Sequence, residues 1–221
     1  DDDDIMHPEK LQKQVSALEN TNFSYVVCLT LLFDDKIENG INLLRESNFS
    51  SNPFEDFLKC KIAWLTQAPM FKKSFLLEMS KLFDEELLAA QEWEFFCRIL
   101  FYDQKYAIID EVLVYNRQHL GRLGTNKKFE NKKLYHYYYA RIKIELFLTE
   151  NKNEYYDFFT QYYIQIFRLL ILNRNKEFSK QIFNDAIKGR VSLLKYVKLK
   201  LVSCFYLFGG RGYTIVKNLI N

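Results

Sequence analysis

Residues 1–14 read DDDDIMHPEKLQKQ, and this stretch decides how the first half of the chain is interpreted. Consecutive carboxylates repel one another and cannot be buried without partners, because desolvating an unpaired charge costs too much free energy. Oxygen clusters of this kind suit hard divalent cations such as Mg²⁺ and Mn²⁺. Pro8 favours the first turn of a helix, and Leu11, Val15 and Leu18 then recur at helical spacing. The stretch predicts a metal-competent acidic turn that leads into a helix, and the alternative is a solvated tail.

Two later segments extend this pattern. Residues 90–98 read AQEWEFFCR, an acidic segment around a tryptophan at the start of a predicted helix, and residues 114–119 read VYNRQH. Together with residues 1–14, in this order and spacing, they resemble the aspartate motif, the acidic pair before tryptophan and the Tyr-Arg-x-His segment of family 2 glycosyltransferases. The resemblance covers residues 1–124. It implies an α/β fold, part of a GT-A (Rossmann-like) nucleotide-sugar transferase domain.

The resemblance assigns roles to the acidic cluster. It implies that Asp1 and Asp3 hold Mn²⁺ or Mg²⁺ on the diphosphate of a nucleotide sugar. Asp4 is the alternative metal ligand or a substrate contact, and Asp2 matches the variable position of the motif. In the family the nucleotide-binding half precedes this motif. The chain therefore looks like the C-terminal portion of a glycosyltransferase.

The second motif supplies a candidate general base. By resemblance Glu92 takes the proton of the acceptor hydroxyl, although the family usually has Asp there and an acid at the position of Gln91. The aromatic neighbours, including Trp93, are expected to raise the pKa of Glu92 and make it a better base. Glu94 is the runner-up, and the alternative for Glu92 is an ordinary first-turn acid favoured by the helix dipole. Trp93 is either an acceptor contact or a core residue.

The third motif supplies candidate phosphate contacts. By resemblance Arg117 and His119 approach the diphosphate or the metal from a loop after a strand. A guanidinium binds phosphate oxygens well, and a histidine can ligate metal or contact phosphate. The alternative is a polar end of a strand.

The patterning of residues 1–124 predicts strands and helices in mixed order. Tyr25 to Phe33 is a continuous apolar run typical of a buried strand. Further strands are predicted near residues 68–72 and 106–115. The predicted helices are residues 8–19, 41–47, 54–63 and 87–101.

Net charge changes sharply near Gly124. Residues 1–124 contain 13 Lys and Arg against 21 Asp and Glu, a net charge of −8, whereas residues 125–221 contain 18 against 7, a net charge of +11. The step predicts a boundary after residue 124. Residues 125–221 are expected to form a basic, aromatic-rich, all-α domain, because apolar residues recur with helical period at 133–148, 154–172, 177–187 and 192–208.

Residues 190–208 combine lysines with leucine, valine, tyrosine and phenylalanine. A basic amphipathic helix of this kind can lie on an anionic membrane surface, and the alternative is ordinary packing of its apolar face. Basic and aromatic residues also interleave in nucleic-acid-binding proteins, but no such motif is present, so nucleic acid is not expected as a partner.

Two functions remain from the sequence. The first is an inverting glycosyltransferase, or a fragment of one, that moves a sugar from a nucleotide-diphosphate donor, most readily a UDP-sugar, to a polysaccharide or lipid-linked acceptor. The second is a non-catalytic helical interaction or membrane-docking module. The four widely spaced cysteines favour neither a metal cluster nor a disulfide framework. The expected location is the cytoplasm. The inner face of the cell membrane is the expected location for the alternative in which the basic helix docks on lipid.

Overall fold

The structure is a computed structural model that describes residues 3–34, 36–42, 49–118, 130–149 and 154–209. It divides into two compact units, Asp1–Asn126 and Lys127–Asn221. The boundary predicted between residues 124 and 125 lies outside the described residues.

In the described part of the first unit, five strands form one sheet. The strands are β1 (Ile5–Met6), β2 (Tyr25–Phe33), β3 (Ile41–Asn42), β4 (Pro69–Phe71) and β5 (Ala107–Arg117). The long strands β2 and β5 pair in parallel at the centre, β1 pairs antiparallel with β5, and β3 and β4 pair antiparallel with opposite ends of β2. The unit is therefore mixed α/β with a parallel central pair, which is compatible with a partial Rossmann-like domain.

The central pair follows from the sequence. β2 is apolar except for Thr30, as expected of a strand covered on both faces, and Tyr25, Val26, Val27 and Cys28 are fully buried. β5 pairs Cys28 with Ile109 and Leu29 with Val112, so that Asp110 and Glu111 form a bulge exposed to solvent. The bulge lets a strand that carries two acids remain central in the sheet.

Four helices accompany the strands in the described part of this unit: α1 (Lys10–Glu19), α2 (Pro53–Leu58), α3 (Lys73–Glu78) and α4 (Gln91–Tyr102). α2 packs against α4. An aromatic cluster fills the space beside β2, where the Tyr25 ring lies 5.2 Å from Phe71, 5.4 Å from Tyr106 and 6.0 Å from Trp64. The buried Tyr25 hydroxyl donates to the Asp103 carbonyl at 2.6 Å, so its polar end is satisfied.

The burial of α1 differs from the sequence expectation. Leu11 and Val15 are 53% and 44% exposed, whereas Lys10 and Gln14 are 5% and 0% exposed. Gln14 can be buried because its amide accepts from Lys10 Nζ and donates to the Ala68 carbonyl at 2.9 Å. Burial lowers the pKa of Lys10. The helix therefore packs through a hydrogen-bonded polar pair, and two of its three periodic apolar residues face solvent.

Every described element of the second unit is helical, as the sequence predicts. The helices are α5 (Glu130–Thr149), α6 (Tyr156–Leu172), α7 (Lys176–Ile182) and α8 (Leu193–Gly209). A π-helical turn, Phe183–Ile187, continues α7. The core of this unit is rich in aromatic residues, with Phe159, Tyr163 and Phe167 of α6 at most 1% exposed.

Some local predictions were wrong. The helix predicted over residues 41–47 begins instead with the strand Ile41–Asn42, and residues 43–48 lie outside the described part. The short elements β1 and α3 were not predicted, because two to six residues carry too little periodic signal.

Candidate functional site at the carboxyl edge of the sheet

The topology brings the first and third motifs to one edge of the sheet. Because β2 and β5 are parallel, Phe33 and Arg117 end at the same edge, where their main chains are paired. β1 runs antiparallel to β5, with Ile5 opposite Tyr115, so the residues before β1 arrive at this edge too. Asp3 and Asp4 thus lie beside the end of β5. In open α/β sheets, ligands bind outside the carboxyl ends of the strands.

The half-buried Asp4 carboxylate is held by several donors at once. Asn116 Nδ2 donates to both carboxylate oxygens at 2.9 Å, and the Arg117 main-chain N–H donates to Oδ1 at 3.0 Å. Gln67 Nε2 also donates to Oδ2. Since Asn116 is only 3% exposed, its amide is fixed and holds Asp4 in turn. Asp4 therefore joins the acidic turn to β5 and to the segment before β4.

Arg117 lies over the same turn. Its Nε donates to the Asp3 carbonyl at 3.4 Å, and its guanidinium carbon lies 4.7 Å from the centre of the Phe33 ring. A cation over an aromatic face is stabilised electrostatically and is also held in place. Among the described residues no carboxylate forms an ion pair with Arg117. The side chain thus keeps donors that can bind an anion.

The metal site proposed from the sequence is described only in part. Asp1 and His119 lie outside the described residues, as does Asp2. Within the described ranges, no group of three or more His, Cys, Asp or Glu side chains is arranged to hold a metal ion. Both Asp4 oxygens already accept hydrogen bonds, so Asp3 is the described carboxylate of this turn that suits Mg²⁺ or Mn²⁺, ions that are usually bound by one or two carboxylates together with substrate phosphates.

Glu92 belongs to another element, the first turn of α4, and is half-buried. It is not among the described hydrogen-bond partners of Asp4. The preceding Ala90 has a left-handed backbone, with φ 63° and ψ 23°, which is unusual for a residue with a side chain. This strained turn sets the direction in which the helix begins. The role of Glu92 as a base stays a prediction.

The structure gives Glu94, the runner-up base, a structural role. Its carboxylate pairs with both sides of the Arg98 guanidinium, at 2.7 Å from Nε and 2.9 Å from Nη2. Arg98 also donates to the carbonyls of Lys81 and Leu82 in the loop before α4. Both side chains are almost fully buried. Glu94 is therefore committed to holding this loop.

Trp93 packs inside the unit. It is 9% exposed, so little of its indole ring is open to a ligand. Its neighbours Phe95 and Phe96 contact Phe71 of β4, with ring centres 6.0 and 6.3 Å apart. Contact between Trp93 and an acceptor stays a prediction.

Sequence reasoning missed the polar residues that support the site. Gln67 and Asn116 hold Asp4, and Gln118 donates to the Asn116 side-chain oxygen. The only sequence signal was that Asn116 and Gln118 flank Arg117 in the third motif. His7 also has a structural part, because its Nδ1 accepts from the Glu9 N–H at 3.2 Å where α1 begins.

Comparison with known proteins gives one informative relative. The chain is 34% identical over 140 residues to a protein of Methanocaldococcus jannaschii named as an uncharacterized glycosyltransferase. The match covers 62% of this chain and 47% of that protein, so the chain spans about half of the relative's length. No family model matches, and no solved structure matches.

Proposed function

We propose that this chain is part of an inverting, metal-assisted glycosyltransferase of the GT-A, family 2 type that uses a nucleotide-diphosphate sugar. The observation that carries the proposal is the meeting of Asp3, Asp4 and Arg117 at the carboxyl edge of two parallel strands. Similarity to a protein named as a glycosyltransferase supports the same class of reaction. UDP is the preferred nucleotide, and a polysaccharide or lipid-linked saccharide is the proposed acceptor.

Asp3 and Asp4 are proposed to have different roles. Asp4 has both oxygens occupied by Asn116, Gln67 and the Arg117 N–H, so its main part is to fix the acidic turn. Asp3, together with Asp1, is then the proposed ligand of Mn²⁺ or Mg²⁺. When bound, the cation supplies charge neutralisation on the diphosphate.

Arg117 is proposed to bind the diphosphate oxygens. Phe33 and the Asp3 carbonyl hold its guanidinium from two sides, which lowers the entropic cost of placing it. An ordered cation at this position stabilises negative charge that develops as the nucleoside diphosphate departs. His119 is the proposed second contact in this region.

Glu92 is proposed to accept the proton. The acceptor oxygen attacks the anomeric carbon from the face opposite the diphosphate, the bond from that carbon to the phosphate oxygen breaks, and the proton of the acceptor hydroxyl passes to the Glu92 carboxylate. A one-step displacement of this kind inverts the anomeric centre. Glu94 is a poor candidate because Arg98 holds both of its oxygens.

Nucleotide binding is the decisive experiment. UDP is titrated into the full chain by calorimetry with and without Mn²⁺, and the comparison is repeated for Asp3→Ala. We expect Mn²⁺ to strengthen UDP binding and Asp3→Ala to abolish that gain. Asp110→Ala, which removes an exposed acid from the β5 bulge, is the matched control and should behave as the unchanged chain. If Mn²⁺ has the same effect on all three proteins, Asp3 is not the ligand.

A second candidate function is docking on an anionic membrane through α8. Among the side chains of α8 that the structure describes, Leu193 at 78% and Leu194 at 68% are exposed, whereas Leu199 and Val202 are buried. The side chains of Lys198 and Lys200 are also exposed, and that of Lys195 is half-buried. Apolar insertion combined with attraction to anionic lipids is the physical basis of such binding. Within the described residues, no helix is long and apolar enough to cross a bilayer.

Vesicle flotation tests whether the exposed leucines of α8 bind a membrane or are only exposed to solvent. The chain should float with vesicles that contain phosphatidylglycerol but not with pure phosphatidylcholine. The double variant Leu193→Gln, Leu194→Gln should lose this binding. Leu169→Gln, at an exposed leucine of α6, is the control. Equal flotation of both variants would exclude α8 as the docking element. Binding would support the proposed location at the inner face of the cell membrane.

A further inference from the structure

The helical unit contains a pocket of about 510 Å³ that none of the sequence motifs accounts for. Its lining includes Tyr135, Tyr138 and Tyr139 of α5, Gln181 of α7, and Asp185 in the π-helical turn, with Arg190 just beyond. The volume lies in the range of about 300–1,000 Å³ that small-molecule sites occupy.

The aromatic wall of this pocket is held in place. Tyr138 is 4% exposed and packs edge-to-face on Tyr163 at 5.4 Å. Tyr135 stacks on Phe178 with ring centres 4.6 Å apart, and its hydroxyl accepts from Gln181 Nε2 at 3.0 Å. Tyr139 lies one turn further along α5 and is half-buried. Rings that are already ordered lose little conformational freedom when a ligand binds.

A satisfied ion pair forms another part of the lining. Glu145, only 5% exposed, accepts from both Nη atoms of Arg190 and from the Tyr163 hydroxyl at 2.7 Å. Burial lowers the pKa of Arg190, but its hydrogen bond to Glu145 and the electrostatic attraction of Glu145, Tyr163 and Tyr156 together exceed this effect, so the pKa is raised overall. The opposite charges of Glu145 and Arg190 cancel, and their hydrogen bonds hold both side chains in place.

The charge of the pocket is unlike that of the surrounding sequence. Residues 125–221 carry a net charge of +11, but the described lining holds Glu145, Asp185 and Arg190, a formal net charge of −1. The lining itself therefore offers no net positive charge to an anion such as a diphosphate. A neutral ligand with many hydroxyl groups needs no such charge and meets donors and acceptors here.

The π-helical turn places one of these acceptors. Phe183, Ala186 and Ile187 of the turn are buried, while Asp185 is exposed at the pocket. A π-helical turn is rarer than an α-helical one and occurs frequently at functional sites. The π-helical turn at the pocket wall is therefore a second feature, independent of the pocket volume, that points to a binding site here.

We propose that this pocket binds a neutral saccharide ring. A pyranose has an apolar C–H face that packs on tyrosine rings and a rim of hydroxyls that pair with carboxylate, amide and phenol groups. In the proposed glycosyltransferase this ligand is a sugar unit of the acceptor, and that role rests on the proposed function. The site lies wholly in the second unit, whereas the Asp3 and Asp4 turn belongs to the first unit.

The test is saturation-transfer NMR on the full chain. The probes are the methyl glycosides of glucose, galactose and mannose, with UDP and choline as anionic and cationic comparisons. We expect at least one methyl glycoside to bind. Tyr139→Ala and Asp185→Asn should each weaken that binding by about tenfold, the loss expected for one good contact or hydrogen bond.

Each substitution has a matched control. Tyr137→Ala removes a tyrosine of the same helix that does not line the pocket, and Asp157→Asn neutralises an exposed acid of α6. Both should bind the methyl glycoside as the unchanged chain does, and circular dichroism should show that all variants are folded. The proposal is overturned if no methyl glycoside binds, if Tyr139→Ala and Asp185→Asn bind as the controls do, or if UDP or choline binds there in preference.

The outcome is separable from that of the proposed transferase activity. UDP binding that depends on Asp3, without any glycoside binding, would keep the transferase and remove the pocket. Glycoside binding that depends on Tyr139, without any UDP binding, would keep the pocket as a saccharide site and remove the transferase.

Discussion

Arg98 is the residue on which the loop before α4 depends. It pairs with the buried Glu94 and donates to the carbonyls of Lys81 and Leu82. We predict that Arg98→Met destabilises the chain by about 3–5 kcal/mol, because it leaves a buried carboxylate unpaired. Urea unfolding followed by circular dichroism measures the free energy.

The double variant Glu94→Gln, Arg98→Met should be more stable than Arg98→Met alone, because the stranded charge is gone. Lys59→Met is the control, since its pair with Glu55 is a half-exposed i,i+4 contact. Such surface pairs contribute about 0–1 kcal/mol. A loss in Arg98→Met no larger than in Lys59→Met would contradict the structural role given to Arg98.

His136 gives the second unit a pH-dependent stability. Burial, and then the positive charge of Lys132, lower the pKa of His136 below its usual 6.5. Between the two pKa values the unfolded chain binds more protons, so the free energy of unfolding rises with pH in that window. We predict that stability falls as the pH is lowered through 6.5 and that His136→Gln reduces this dependence. Urea unfolding at several pH values measures it, and an unchanged slope in His136→Gln would argue against the assignment.

At the scale of an element, α1 makes the clearest prediction. Leu18 is 7% exposed and Leu11 is 53% exposed, although both belong to the same apolar repeat. Leu18→Ala should therefore cost about 2–4 kcal/mol, whereas Leu11→Ala should change stability by no more than about 0.5 kcal/mol. Equal losses in urea unfolding would mean that α1 packs through its apolar repeat.

The same helix shows how far sequence reasoning extends. Its existence follows from Pro8 and the helical period, but its buried face does not. The helical period depends only on the spacing of apolar side chains. It cannot show that the Gln14 side-chain amide donates to the carbonyl of Ala68, more than fifty residues away. β2 was predictable from its long, largely apolar run and β5 from its alternating apolar residues, whereas the two residues of β1 carry too little local signal and pair with β5 only in the folded sheet.

The candidate site was predictable to a similar extent. The motifs identified Asp3, Asp4 and Arg117, and the antiparallel pairing of β1 with β5 explains why they meet. The amides that hold Asp4 were not predicted, because a glutamine or asparagine has no local pattern that names its partner. Gln67 and Asn116 are distant from Asp4 in sequence and become its neighbours only in the folded sheet.

At the scale of the whole molecule, the cysteines report on the folded state. All four lie in the described residues and none forms a disulfide. Cys28 and Cys97 are fully buried, Cys60 is half-buried and Cys204 is exposed. Burial raises the pKa of the Cys28 thiol, which lowers the fraction of reactive thiolate. Reactivity should therefore follow exposure.

We predict that a thiol reagent labels Cys204 first and Cys60 more slowly in the folded chain. Cys28 and Cys97 should react only at the rate at which the first unit opens, and all four should react at once in denaturant. Peptide mass spectrometry of timed samples measures each site separately, and Cys204→Ser should remove the fast phase alone. Because Cys28 lies in β2 and Cys97 in α4, prompt labelling of either would mean that the sheet or its covering helix is not packed as described. Slow labelling of both cysteines would show that the first unit is folded in this chain. Every experiment at the Asp3 and Asp4 turn depends on that folding.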